Sequence, residues 1–168
     1  MPQERDKLRS EAASNIQRLQ NKFTRELLVI ALFLLLSIGG LSDFAMLPAL
    51  PESVRKILGQ PPSGNMISAL LVLYVFSAII LILSRMMSGS EKQGGMGHLG
   101  YLAGFYFFYH FSGKLPENFW AVFAAGATIL GLESYHIWIY SSEAIERERE
   151  LLATLERKPL GQGEEKDK

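Results

Sequence analysis

Hydrophobic residues in this 168-residue chain fall into four dense blocks, and polar residues gather between the blocks and at both ends. The blocks cover about 27–47, 66–84, 97–113 and 119–140. A helix rises about 1.5 Å per residue, so the fourth block alone, Phe119 to Tyr140, spans roughly 33 Å, the thickness of a bilayer's hydrocarbon core. The pattern predicts an all-α fold: a four-transmembrane-helix bundle over residues 26–141, with amphipathic cytoplasmic helices at both ends, in 1–25 and 142–168. The first block follows 26 largely polar residues and exceeds a signal-peptide core in length, so it reads as an uncleaved anchor. The third block is the least regular. Its apolar run, Leu99 to about Phe111, falls short of the roughly 20 residues of a usual crossing. Aromatic residues crowd it, and Gly100 with Gly104 forms a G-xxx-G pair that predicts close approach of a neighbouring helix.

The flanking segments carry their own patterns. Leu8, Ala12, Ile16, Leu19 and Phe23 recur at steps of three and four, an apolar stripe on a helix. No breaker separates this segment from the first block, so one continuous helix is expected through both. Gly39-Gly-Leu-Ser-Asp43 closes the block, which puts Asp43 near the far interface, and Pro48 and Pro51 stop the helix. Pro51 to Gly59 predicts a short interfacial helix with Val54, Ile57 and Leu58 towards lipid and Arg55 and Lys56 towards head groups. The second block is almost purely aliphatic, interrupted by Tyr74 and serines, and Arg85 marks its end. Ser88 to Gly97 reads as a flexible loop, and Lys114 to Asn118 as a tight turn that makes blocks three and four an antiparallel hairpin. In the fourth block Ala127 and Gly131 continue the small-residue theme, on the face roughly opposite Glu133. After Ser142 a charged helix with Ile145, Leu152 and Leu155 on one side is expected, then a disordered tail from Gly161.

Charge orients the bundle. Seventeen Lys and Arg balance seventeen Asp and Glu, so nothing in the net charge argues for nucleic acid. Their placement is uneven: with four crossings, fourteen Lys and Arg lie on the side of the two tails and three on the other. The expected topology is multi-pass with both termini cytoplasmic. Cysteine is absent, which excludes disulfides, cysteine-held iron–sulfur clusters and covalently attached c-type haem within the chain.

Candidate chemistry sits where ionisable residues enter the apolar blocks. Glu133 and His136 stand at i and i+3 on one helix face, with Tyr140 one turn further on. An ionisable side chain inside a span costs about 2.5–3.5 kcal/mol to insert, so it calls for a partner or a task. Both residues fall in the cytoplasmic third, roughly 21 and 25 Å along the helix. Arg85, Tyr101 and His98 share that level, while Asp43, His110 and Lys114 form a second polar group towards the outside. Three readings of the inner group stand open. Arg85 neutralises Glu133 while His136 and Tyr140 bond at the interface. Alternatively Glu133, His136 and Tyr101 surround a quinone head group, supplying hydrogen bonds and a carboxylate that takes protons. The third reading is a b-type haem held by His98 and His136. No metal-ion site is predicted: the single Glu-x-x-His has no second copy to complete a di-iron centre. Walker, dinucleotide and G-x-S-x-G motifs are missing as well.

Gly39-Gly-Leu-Ser-Asp43, Ile57-Leu-Gly-Gln-Pro-Pro62, Glu117-Asn-Phe-Trp-Ala-Val-Phe123 and Leu132-Glu-Ser-Tyr-His-Ile-Trp138 carry a resemblance. Over most of residues 25–145 the chain resembles small four-span inner-membrane proteins of metal-reducing bacteria known as menaquinol oxidoreductases. The resemblance implies a place in quinol-linked respiration, menaquinone as the bound cofactor and a bacterial inner-membrane location. Without a redox centre of its own, the chain would need a partner subunit for electron transfer. The competing expectation is a non-catalytic scaffold or assembly factor that recruits soluble partners through its end helices. A small transporter or channel ranks behind both, since the middle of the bundle offers no relay.

Overall fold

Every regular element of the computed structural model is a helix, among the described residues 2–46, 48, 51–89 and 95–157. In chain order these are α1 (Pro2–Leu41), α2 (Glu52–Leu58), α3 (Gly64–Ser88), α4 (Gly95–Phe111) and α5 (Leu115–Arg157). Three of them, α1, α3 and α5, are long and apolar enough to cross a membrane. The third apolar block forms α4, whose 17 residues span about 25 Å, less than a usual crossing.

The helix ends have local causes. Helix α1 is one unbroken helix through both the charged stripe and the first apolar block. It stops at Leu41, not near residue 47. Consecutive glycines weaken its last turn, and Asp43 and Phe44 both take left-handed backbone (φ 50°). Phe44 N–H then donates to the Gly39 carbonyl (2.9 Å) and Asp43 N–H to that of Gly40 (3.0 Å), the bonding pattern of a Schellman cap. Gly113 (φ 67°) ends α4 in the same way, with Lys114 N–H on the Tyr109 carbonyl. Ser63 caps α3 through the Met66 N–H, and Gly89 closes it in left-handed conformation. The expected loop over residues 88–97 is shorter than read: α3 continues to Ser88 and α4 begins at Gly95, so His98 sits in a helix and not in a Gly-rich loop. Likewise α5 begins at Leu115, which leaves only three residues between α4 and α5. The loop centre at 90–94, Leu47, the tail beyond Arg157 and the side chains of Arg55, Leu58 and Leu155 lie outside the described residues.

Two compact units result, one comprising Glu26–His136 and the other Met1–Arg25 with Ile137–Lys168. In the second unit Ala12 and Leu19 of the N-terminal stripe are buried, Ile16 and Phe23 half-buried, and Asn15 Nδ2 donates to Glu148 Oε1 of α5 (3.0 Å).

In the first unit four helical segments share one core. Val29 and Phe33 of α1, Ile67 and Leu71 of α3, Leu102, Tyr106 and Tyr109 of α4, and Phe119, Val122 and Leu130 of α5 fill it. Neighbouring core positions stand three or four residues apart, as at Leu102, Tyr106 and Tyr109, the step that keeps one seam facing its neighbours. Thus α4, the shortest of the four, is wholly buried along that seam at Leu102, Tyr106 and Tyr109. Two of its tyrosines also make hydrogen bonds, a buried one between Tyr106 and Ser37 Oγ (3.0 Å) and a partly buried one between Tyr109 and Ser68 Oγ (2.8 Å). Leu34, Leu35, Ile38, Val72, Leu73 and Phe76 point outward, an apolar exterior suited to lipid.

Small residues permit the closest contacts, though not those that the G-xxx-G pair predicts. A Cβ on Gly126 would overlap the Phe33 ring, and one on Gly40 would crowd Tyr106. Gly100 and Gly104 face open space, and so does Gly131, while Ala127 is exposed. The glycine pair of α4 therefore serves no helix contact among the described residues.

Candidate functional site

The inner polar residues converge at the start of α4. His98 follows Gly95 by one turn, on the face that continues into Leu102 and Tyr106, so the core-facing seam of α4 begins with an imidazole. Its ring is buried (8% exposed), and its Nδ1 lies 2.8 Å from the Tyr74 hydroxyl of α3. From α5 comes Glu133, 1% exposed, with Oε1 3.9 Å from Arg85 Nη1 near the end of α3. That is an ion-pair distance, longer than a direct hydrogen bond. Both charges lie within electrostatic reach of His98. A second buried carboxylate, Glu26 of α1 (3% exposed), packs on Gly95, where no Cβ would fit beside its Oε2. All four long helical segments thus contribute an ionisable or hydroxyl side chain to one end of the bundle.

Of the predicted site residues, Glu133, Arg85 and His98 come together here. Tyr101 stands over Tyr74, with ring centroids 5.4 Å apart, and is largely exposed. His136 is half-buried one turn beyond Glu133, and Tyr140 belongs to the other compact unit. The predicted set missed Glu26 and Tyr74. A signal for Glu26 existed: Glu26, Val29, Phe33, Ser37 and Gly40 recur at steps of three and four, so the core seam begins inside the polar segment. Tyr74 was visible as the one aromatic hydroxyl in an aliphatic block.

Beside this cluster an apolar groove of about 720 Å³ runs between α3 and α4. Met66, Leu70 and Leu73 of α3 line one side, and Gly100, Gly104, Phe105 and Phe108 of α4 the other. Tyr74, His98 and Tyr101 line it too; Glu133, Arg85 and His136 do not. Its size falls in the range of small-molecule sites, roughly 300–1,000 Å³. Among the described residues no group of three or more His, Asp or Glu side chains is arranged to hold a metal ion.

At the other end of α4, His110 Nδ1 meets Asp43 Oδ1 at 2.8 Å, with the Phe44 ring edge-on to the imidazole. Lys114, grouped with these two on sequence, pairs instead with Glu117 (3.1 Å). No family model matches the chain, and no curated protein or solved structure matches it either.

Proposed function

We propose that this chain is an inner-membrane subunit that binds menaquinol at the start of α4 and delivers its electrons to a redox-active partner subunit. The observation that supports this best is the meeting of an apolar groove with the Tyr74–His98 pair, backed by the half-buried Arg85 facing the buried Glu133. Oxidation of a quinol to the quinone releases two protons and two electrons. Imidazole and carboxylate groups receive the two protons, the tyrosine hydroxyl orients the imidazole by its hydrogen bond, and apolar walls solvate the ring. The electrons go to a haem or iron–sulfur centre of the partner, since a chain without cysteine holds no cluster of its own. The excess of Lys and Arg at the two ends supports cytoplasmic termini. Sharing its core with three long apolar helices supports α4 as a fourth crossing.

Lipid extraction of protein purified in mild detergent tests this reading. Menaquinone should co-purify, and Glu133→Gln, which removes the buried charge facing Arg85 next to the groove, should lower its content several-fold. Wild-type protein free of menaquinone refutes the proposal. A reduced-minus-oxidised spectrum of the same sample separates it from a b-type haem between His98 and His136.

One observation favours the scaffold reading: the charged ends form a compact unit of their own, joined through Asn15 and Glu148. If deleting residues 3–25 abolishes the cellular phenotype while Glu133→Gln leaves it intact, recruitment and not quinol chemistry is the function.

A further inference from the structure

We propose that the quinol lies in the α3–α4 groove with a ring oxygen on His98 Nε2 and its prenyl tail running over Gly100 and Gly104 towards Phe108 and Met66. The class of ligand rests on the quinol reading above; the pose rests on the groove itself.

Glycine inside a helix costs about 1 kcal/mol relative to alanine, so a pair of them one turn apart needs a reason. Gly40, Gly95 and Gly126 have theirs in side chains that press against them. Gly100 and Gly104 meet nothing within 4 Å, and both line the groove. Their missing side chains keep a trough open on a face that no described residue of the first unit fills. A flat ring and a branched hydrocarbon chain fit such a trough, and the bilayer supplies both.

Polarity is confined to one end of the trough. His98 lines it, and its Nδ1 is committed to Tyr74. Its Nε2 makes no hydrogen bond among the described residues, which leaves one polar valence for a ligand. Tyr74 and His98 can reverse their bond. When the tyrosine hydroxyl donates to Nδ1, Nε2 carries the proton and donates to a quinone carbonyl. When Nδ1 carries the proton and donates to the tyrosine oxygen, Nε2 accepts from a quinol hydroxyl. The pair thereby matches either redox form of the head group without moving a helix. Phe105, Phe108, Met66 and Leu70 further along offer hydrocarbon contacts alone.

The test uses the full chain in phosphatidylethanolamine–phosphatidylglycerol vesicles loaded with menaquinone-4, with bound menaquinone measured after detergent extraction. Gly104→Leu fills the trough and His98→Phe removes the head-group contact, and each should cut retention about tenfold. Thr128→Ala, on the exposed side of α5, should retain the wild-type amount. Helical circular dichroism checks the fold, and Gly104→Leu adds its side chain to open space, so its result stands even if His98→Phe fails to fold. If a folded Gly104→Leu or His98→Phe protein retains the wild-type amount, the groove assignment is wrong and the quinol reading survives. If the wild type retains none, the quinol reading itself falls and takes this pose with it.

Discussion

Each end of α4 sets a histidine against a carboxylate, and the two ends differ in almost everything else. At the C-terminal end His110 and Asp43 are 31% and 47% exposed and bonded directly to each other. At the N-terminal end His98 is buried, its closest polar partner is a tyrosine, and the carboxylates around it belong to separate helices. Solvent weakens the first pair, as it does surface ion pairs in general, to about 0–1 kcal/mol. The second group has no such relief: a charge left unbalanced there costs several kcal/mol. The same residue types therefore make a surface contact at one end and a buried polar site at the other. Burial decides which.

That contrast can be broken by substitution. Arg85→Ala removes the cation 3.9 Å from the buried Glu133 carboxylate and should destabilise the bundle by about 3–5 kcal/mol, read from unfolding in a denaturing detergent series. A loss under about 1 kcal/mol would mean that the Arg85–Glu133 pair does not hold the bundle together. Gly95→Ala should come next, at about 1–3 kcal/mol, because its methyl group displaces the Glu26 carboxylate. Gly100→Ala on the same helix should be neutral or stabilising by up to about 1 kcal/mol, since helix propensity improves and nothing is touched. If both alanine variants behave alike, Glu26 does not sit where the structure puts it. Smallest of all, His110→Ala should cost about 1 kcal/mol or less, and high salt should narrow the difference from wild type.

Much of this was open to reading before any coordinates. Apolar blocks longer than 18 residues can form little but membrane-length helices, and Pro48, Pro51 and the polar connectors separate them. Continuity of α1 through its charged and apolar halves follows from the absence of a breaker. The ion pair between Arg85 and Glu133 was foreseeable, because a buried acid seeks the cation at its own depth.

What the linear order leaves open is which face of each helix meets which neighbour. Helix periodicity fixes the faces of one helix but not its rotation against others, and that rotation depends on steric fit among all four. Hence Gly126, Gly40 and Gly95 became the tight contacts while Gly100 and Gly104 were left facing a groove. Packing also drew Glu26 out of a polar segment into the core and joined Tyr74 to His98, residues 24 positions apart. Chain chemistry alone determined that this protein belongs in a bilayer as a set of helices. The tertiary structure decided where its buried charges gather, because only packed neighbours can exclude solvent from them.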